Sequence, residues 1–292
     1  MYETASDGLF QPISNTSILR IEGKDAIDFA QSQFSNDVRA LALNEWQWNA
    51  WLNAKGRVLA LFMLLRSGEQ ELLLVSADMP ATQLAEALSR MVFRRKAILT
   101  VTEDICFQGG FADDPAPGTS FWFGAAEGPS QWRGKMDDTS GRIWRIGPPP
   151  TNITPNEGFQ LAWRIADLRR GLAHLPPQGS DLTAHQLGLD RLPALSLSKG
   201  CYPGQEIVAR THYLGKAHRR IARLCASSPL QDGAKLMVEG REVATLLNAI
   251  QIDQNTWEAL ASLPAEDDTL QTHSRLHTAD GALVVRLPFE QA

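Results

Sequence analysis

The most informative segment of the chain runs Lys199-Gly200-Cys201-Tyr202-Pro203-Gly204-Gln205-Glu206-Ile207-Val208-Ala209-Arg210. Two glycines bracket the cysteine, and glycine lets the backbone turn tightly and lets a ligand approach the main chain closely. Pro203 suits the first turn of a helix, and Glu206 near that N-terminus is favoured by the helix dipole. The pattern predicts a tight turn that carries Cys201, followed by a helix.

Cys201 is the candidate reactive group of this segment. A thiol reacts as its thiolate, which both a nearby cation such as Lys199 and an adjacent helix N-terminus favour. Free cysteine is also one of the most frequently buried residue types, and there it fills a gap in the packing. The residues alone therefore leave two interpretations of Cys201 open, a reactive thiol at a turn and a packed core side chain.

The same segment resembles the signature of a known family. The order K-G-C-[FY]-x-G-Q-E followed by V-A-R is similar to that of the YgfZ family of folate-binding proteins, relatives of the glycine-cleavage T protein, an aminomethyltransferase. Further matches extend over most of the chain and lie at His212-Tyr213-Leu214-Gly215-Lys216, Arg219-Arg220, Ile21-Glu22-Gly23-Lys24-Asp25-Ala26, Phe29-Ala30-Gln31-Ser32-Gln33, Ser35-Asn36-Asp37-Val38 and Ala54-Lys55-Gly56-Arg57.

The resemblance implies an α+β fold, a three-lobed ring of the T-protein type. It implies ferredoxin-like ββαβ lobes and a C-terminal antiparallel β-barrel. Residues 1–46 together with 124–214 would form the folate-binding lobe that carries the K-G-C-Y-P-G-Q-E motif. Residues 47–123 would form an inserted α+β lobe, and residues 215–292 the barrel.

Hydrophobic periodicity independently predicts a mixture of helices and strands. Residues 18–21 have the pattern of a strand, and residues 25–39 carry apolar side chains at helical spacing. Three apolar runs separated by turn signals, at 46–52, 57–66 and 71–76, predict two hairpins in succession.

The rest of the chain continues this alternation. Asp78 is expected to cap the next helix, with Pro80 in its first turn. Residues 157–170 predict a further helix, which Gly171 ends. After about residue 215 only short β-rich pieces remain, as a small closed antiparallel unit would require.

The function that the resemblance implies is that of a folate-binding accessory protein. Such a protein supports the maintenance or repair of iron-sulfur enzymes, and thereby tRNA modification by thiomethylation. Its cofactor would be tetrahydrofolate or a folate derivative, and its partners a folate and iron-sulfur enzymes such as those that thiomethylate tRNA. Two alternatives stay open: a folate-dependent, aminomethyltransferase-like one-carbon transferase, and a non-catalytic docking protein for a partner protein or RNA. Whether the chain is an enzyme at all is left open.

The resemblance also assigns site residues. Cys201, the candidate reactive thiol, and Lys199 are the catalytic candidates, and no metal site is expected. The cofactor-binding candidates are Trp163, Asn36, Asp37, Tyr202, Gly204, Gln205, Glu206 and Arg210. Trp163 lies on a predicted helix between apolar residues, so a plain core role is its alternative, and helix capping is the alternative for Asn36 and Asp37.

One position departs from the T-protein pattern. T-protein relatives hold the donor face of the pterin with a carboxylate in an R-x-E-x-G segment, and Arg169 stands at that place in this chain. A guanidinium cannot accept hydrogen bonds. Arg169 or Arg170 is instead expected to pair with the glutamate tail of a folate.

Composition and charge bound the class of protein. The chain has 292 residues and a formal net charge of -5, which does not favour direct binding to nucleic acid by phosphate neutralisation. The longest apolar run, residues 58–65, is far shorter than the roughly 20 residues of a membrane span. The three cysteines lack the spacing of a zinc or redox pair, and the N-terminus lacks a secretory signal, so we expect a cytoplasmic protein with free thiols.

The charge is unevenly distributed along the chain. Residues 199–223 contain six Lys and Arg residues against a single acid, Glu206. Such a surface can attract a phosphate or polycarboxylate ligand within a Debye length of about 8 to 10 Å. The alternative is a solvated edge, because basic runs are common at helix ends and strand edges.

Overall fold

The structure is a computed structural model that describes residues 10–111, 131–136, 140–151, 156–213, 215, 217–265 and 276–290. Within these residues the chain forms four helices and three β-sheets. The helices are α1 (Ala26–Gln33), α2 (Ala81–Ser89), α3 (Glu157–Arg170) and α4 (Gln205–Tyr213).

The first sheet has five antiparallel strands in the order β3-β4-β5-β2-β6. These strands are β2 (Ser17–Glu22), β3 (Trp46–Leu52), β4 (Val58–Gly68), β5 (Glu71–Ser76) and β6 (Ile98–Thr102). Helices α1 and α2 pack on one face, where Phe29 and Leu84 join Leu64 in a buried cluster. The neighbouring Leu65 points into a different cluster, so both faces of β4 are buried. Burial on both faces explains the unbroken apolar run in this strand.

The second sheet covers the other face of the first. Its order is β1-β7-β9-β8, with strands β1 (Gln11–Pro12), β7 (Cys106–Phe111), β8 (Trp132–Lys135) and β9 (Arg142–Gly147). Trp144 from this sheet and Trp163 from α3 pack with Leu65 and Leu73 of the first sheet.

The C-terminal residues form a closed barrel in the order β10-β13-β12-β11-β14-β15, and β15 pairs with β10 to complete it. The strands are β10 (Arg219–Ala226), β11 (Lys235–Val238), β12 (Arg241–Asp253), β13 (Thr256–Pro264), β14 (Leu276–Thr278) and β15 (Leu283–Leu287). Closure removes the unpaired strand edges that an open sheet of this size would expose. The predicted C-terminal barrel is confirmed.

A third buried cluster joins the first sheet to the barrel. It combines Leu61 of β4, Leu189 of the chain between α3 and α4, and Leu260 of β13. Tyr202 and Val208, from the segment quoted first, belong to the same cluster. The motif is therefore held where these parts of the fold meet.

Two local predictions differ from the structure. Helix α1 ends at Gln33 and not near residue 39, because the side-chain carbonyl of Gln31 accepts from the backbone N–H groups of Val38 and Arg39 and replaces helical partners. Helix α2 begins at Ala81 without the predicted Asp78 cap, and the Ala81 N–H donates to Ser17 Oγ instead.

The lobe boundary predicted between residues 46 and 47 falls inside one hydrogen-bonded sheet. Strand β2, from the N-terminal segment, pairs with β5 on one side and β6 on the other. Pairing between strands distant in sequence leaves no local trace that could place this boundary. The remaining lobe limits stay a prediction, and the 112–130 segment that contains the limit at residues 123 and 124 lies outside the described residues.

Candidate functional site

Lys199 fastens the cysteine turn to the end of helix α1. Its side chain is buried, and the ammonium group donates to the backbone oxygens of Phe34 at 2.6 Å and Asn36 at 2.8 Å. Burial lowers the pKa of Lys199 to about 8, although the nearby Asp37 carboxylate opposes this. Lys199 was predicted to favour a thiolate at Cys201, but its hydrogen bonds in the described chain go to these carbonyls.

The turn after α1 is interlocked with the same segment. Ser35 Oγ donates to the Ala194 oxygen at 2.6 Å, and the Asn36 amide donates to the oxygens of Trp48 and Pro193. The Asp37 carboxylate accepts from Gln31 Nε2 at 3.0 Å and from the Arg39 N–H at 3.1 Å. Asn36 and Asp37 thus make contacts typical of capping residues, and their predicted contact with a cofactor stays a prediction.

Three further motif residues stabilise the turn of Cys201 through contacts with neighbouring backbone. Tyr202 is buried and its hydroxyl lies 3.4 Å from the Ser196 oxygen, while burial raises the pKa of Tyr202 to about 12. Gln205 Nε2 donates to the Lys199 oxygen at 3.2 Å. Gly204 lies so close to Gly56 that a Cβ atom built on it would stand 2.8 Å from the Gly56 Cα. The A-K-G-R turn and the K-G-C-Y-P-G-Q-E motif therefore touch backbone to backbone.

Cys201 lies on the exposed side of the turn that these contacts hold in place. Its side chain is exposed, and with Gly200 it lines a cleft of about 1100 Å³. The other walls are Asp25 with part of α1, Arg39, and residues 91–95, which follow α2. Glu206 and Arg210 are exposed on α4 and do not line this cleft. Of the two interpretations of Cys201, the structure supports the accessible thiol.

Trp163 lies in the aromatic core. It is only 4% exposed and packs against Phe107, Phe111 and Phe159. The Arg142 guanidinium stands 4.8 Å from its ring centre. Trp163 does not line the cleft beside Cys201, so the plain core role left open by the sequence describes its surroundings.

Arg169 ties α3 to the barrel. It pairs with Glu258 at 3.1 Å and with Glu290 at 3.6 Å. Burial opposes ionisation of Glu258, but Arg223 and Arg169 outweigh it and lower the pKa of that carboxyl. The expectation that Arg169 pairs with the glutamate tail of a folate therefore needs correction, because its guanidinium already holds two carboxylates. Arg170 is buried.

The basic stretch is also partly structural. Arg219 donates to the backbone oxygens of Val243 and Ser262 inside the barrel, at 2.6 and 2.5 Å. Arg220 is exposed and lies 3.4 Å from Asp190. A docking role for the basic stretch could therefore not use Arg219, whose guanidinium already binds these two carbonyls.

Sequence reasoning missed a buried charge network. Arg142 pairs with Asp167 at 2.5 Å, the other oxygen of Asp167 lies 3.2 Å from His174 Nε2, and His174 Nδ1 lies 2.9 Å from Asp78. Asn248 of the barrel exchanges two hydrogen bonds with the His174 backbone. Asp167 and His174 lie near each other along the chain, but Arg142 and Asp78 come from two distant segments, so no local pattern could have revealed the network.

The network favours the charged form of Asp167. Burial opposes ionisation of Asp167, but Arg142 and His174 outweigh it and lower its pKa. Burial likewise disfavours charged His174, yet its hydrogen bonds to Asp167 and Asp78 raise the pKa of the imidazole to about 10. With a carboxylate on each ring nitrogen, His174 has no nitrogen left for a proton-transfer reaction.

We expect the stabilisation that His174 contributes to be lost at alkaline pH. Its folded-state pKa of about 10 lies above the ordinary 6.5, so its contribution is complete below pH 6.5 and is lost as the pH rises through about 10. The Asp167 contribution has the opposite sign and is lost only in acid. Urea unfolding across the alkaline range should show a falling free energy of unfolding for the wild type and a flatter curve for His174→Gln. The exposed His212→Gln is the control, and equal slopes in all three proteins would contradict this role.

The chain is similar in sequence to known proteins over most of its length. No family model matches the chain. An uncharacterized protein of Haemophilus influenzae is 26% identical over 85% of this chain and 86% of its own length. A protein of Aliivibrio fischeri named tRNA-modifying protein YgfZ is 24% identical over 88% of this chain and 85% of its own length. A protein of the same name from Sodalis glossinidius is 24% identical over 95% of this chain and 92% of its own length.

Solved structures give the same relationship at the level of the fold. The glycine cleavage system aminomethyltransferase T from Bartonella henselae superposes with a TM-score of 0.72 over 96% of this chain and 84% of its own, at 16% identity. The predicted α+β fold of the T-protein type is confirmed. No described helix is both long and apolar enough to cross a membrane. The predicted resemblance to the YgfZ family, and through it to the glycine-cleavage T protein, is therefore confirmed.

Proposed function

We propose that this protein has a YgfZ-type role in tRNA modification. Its relatives carry that name, and the T-protein fold provides the frame for it. In finer detail, we propose a folate-binding accessory protein that supports iron-sulfur enzymes, including those that thiomethylate tRNA. The observation that carries the proposal is the exposed Cys201 thiol on the wall of a large cleft.

The cleft suits a folate in size and in chemistry. Ligand sites commonly enclose about 300 to 1000 Å³, and this cleft is of that order. Its walls combine apolar surface from Met91 and Phe93 with the cations Arg39, Arg94 and Arg95. A folate joins flat rings to a carboxylate tail and, when bound, acts as a carrier of one-carbon groups. These residues, and not Trp163, are the ones we assign to hold it.

Cys201 differs from the other two cysteines in its surroundings. Cys106 and Cys225 are half-buried, and burial raises the pKa of both thiols, which keeps them protonated. Cys201 is exposed, and its turn is anchored through Lys199. Accessibility together with a fixed position supports Cys201 as the chemical participant.

Loss of this thiol should impair tRNA thiomethylation in cells. In cells that lack the protein, we expect the thiomethylated fraction of tRNA, measured by mass spectrometry of nucleosides, to fall severalfold. Wild type should restore it and Cys201→Ala should not. Cys225→Ala is the matched control, because it removes a thiol from the barrel and leaves the cleft intact.

Each outcome of this assay separates the parts of the proposal. Unchanged thiomethylation in cells lacking the protein would reject the role in tRNA modification. Full rescue by Cys201→Ala would reject the thiol as a participant while leaving the role itself standing. Equal amounts of soluble variant protein, checked by immunoblot, exclude a difference in expression.

A one-carbon transferase of the T-protein kind would need a free carboxylate at the site, and the acids that could supply it already have partners. Asp78 and Asp167 are buried acids, but both bind His174. Asp25 and Asp28 line the cleft, but Asp28 pairs with Arg39 at 2.8 Å and Asp25 accepts from the Lys96 N–H at 2.6 Å. No observation favours this alternative over the accessory role.

A further inference from the structure

At the corner of the cleft formed by Phe93 and Arg94, the backbone of Phe93 has an unusual conformation. Phe93 is 86% exposed, and its backbone has φ +50°, in the left-handed region that bulky side chains avoid. Residues held in such conformations tend to occur at ligand sites, where the rest of the fold compensates for the strain. An aromatic ring held in solvent at the mouth of a cleft is available to stack on a flat ligand.

The arginine side chains around this corner have hydrogen-bond partners except at one residue. Arg39 pairs with Asp28, and Arg95 donates to Ser32 Oγ and to the backbone oxygen of Asp28. Within the described part of the chain, Arg94 has no hydrogen bond or ion pair. It is exposed, it lines the cleft and it follows Phe93 directly. A guanidinium fork binds carboxylates with two parallel hydrogen bonds, which makes Arg94 the free anion-binding group of this cleft.

We infer that the Phe93–Arg94 corner selects folates that carry a chain of several glutamates. Arg94 pairs with the carboxylates of that chain, and Phe93 contacts the flat part of the ligand. The inference rests on the proposed folate binding and adds the form of the folate and the residues that recognise it. It also supplies the cation for the tail that Arg169, held by Glu258 and Glu290, cannot provide.

The same chemistry favours a small ligand over a nucleic acid. Single-stranded RNA needs a continuous cationic groove with several stacking rings. Here Asp25 and Asp28 line the cleft together with the three arginines, and Phe93 is its single aromatic lining residue among those described. One ring and one free guanidinium match one flat ligand with an anionic tail.

The test measures the affinity of the full chain for monoglutamyl and triglutamyl tetrahydrofolate by isothermal titration calorimetry. Wild type should bind the triglutamate more tightly by about tenfold, because a hydrogen bond to a charged group is worth roughly a decade of affinity. Arg94→Gln should erase that preference, so that this variant binds the two folates with equal affinity. Phe93→Leu should weaken both ligands equally, by about fivefold, because it removes the ring and keeps the apolar bulk.

The matched control is Arg90→Gln. Arg90, the residue that follows α2, pairs with Glu86 at 2.5 Å and does not line the cleft, so this variant should keep the triglutamate preference. Equal affinity of wild type for the two folates, or equal losses in Arg94→Gln and Arg90→Gln, would overturn the inference while folate binding stands. Absence of binding by either folate would overturn the proposed folate function itself. Displacement of bound folate by a single-stranded oligonucleotide, dependent on Arg94, would overturn the small-ligand assignment in favour of RNA.

Discussion

Gly204→Ala is expected to destabilise the protein by about 2 to 5 kcal/mol, since left-handed backbone with a Cβ atom costs about 1 to 2 kcal/mol and overpacking typically adds about 1 to 3 kcal/mol. Gly204 has φ +79°. A Cβ atom there would stand 2.6 Å from the Asn53 oxygen and 2.8 Å from the Gly56 Cα. Both neighbours are backbone atoms of one tight turn, so neither can rotate away.

Gly200→Ala is the matched control within the same motif. A Cβ atom on Gly200 would meet nothing within 4 Å, and Gly200 is not among the glycines with positive φ. We therefore expect a change within about 0.5 kcal/mol, as for an ordinary surface substitution. Urea unfolding followed by circular dichroism gives both free energies of unfolding. Comparable losses in the two variants would show that the contact between Gly204 and Gly56 is not what requires glycine at position 204.

Asp167→Asn is the second substitution with a large expected effect. It keeps the shape of the side chain and removes the negative charge that lies between Arg142 and His174. The Arg142 side chain is 1% exposed, so water cannot replace the lost carboxylate. Removing one partner of a buried ion pair usually costs about 3 to 5 kcal/mol, because a charge is left buried without compensation. We expect a loss in that range.

Asp28→Asn is the control for this change. It makes the same chemical replacement in the pair with Arg39, whose side chains are 59% and 64% exposed. Exposed pairs are typically worth about 0.2 to 1 kcal/mol, since water screens them. Thermal and urea unfolding at neutral pH compare the two variants directly. If Asp167→Asn cost no more than Asp28→Asn, the buried network would not stabilise the fold as its geometry implies.

Local patterns in the sequence were sufficient for many elements. The strand at residues 46–52 and the helix at Glu157–Arg170 ended by Gly171 are present as predicted. These elements follow from the alternation or helical spacing of apolar side chains, which depends only on near neighbours. The prediction for α1 ran too long, because a polar side chain within the helix captured the backbone groups that would have extended it.

The position of the candidate site could be predicted from the sequence, but the contacts that its residues make could not. The motif predicted a turn with Cys201 followed by a helix, and the structure has both. The sequence alone could not reveal that Lys199 is committed to the carbonyls of Phe34 and Asn36, or that Arg169 is committed to Glu258. Phe93 and Arg94 carried no signal, because nothing in the chain shows that the turn after α2 faces the cysteine.

By itself the sequence determined the resemblance to the YgfZ family, the short β-rich pieces at the C-terminus and the glycine-flanked turn of Cys201, because each is recorded in motifs or spacings of neighbouring residues. Only the tertiary structure decided which polar side chains hold the fold and which remain available at the cleft. The physical reason is distance along the chain: Lys199 lies 165 residues from the carbonyl of Phe34 that it binds. A hydrogen bond satisfied by such a distant partner removes a residue from the candidate ligands, and no local pattern records that it has formed.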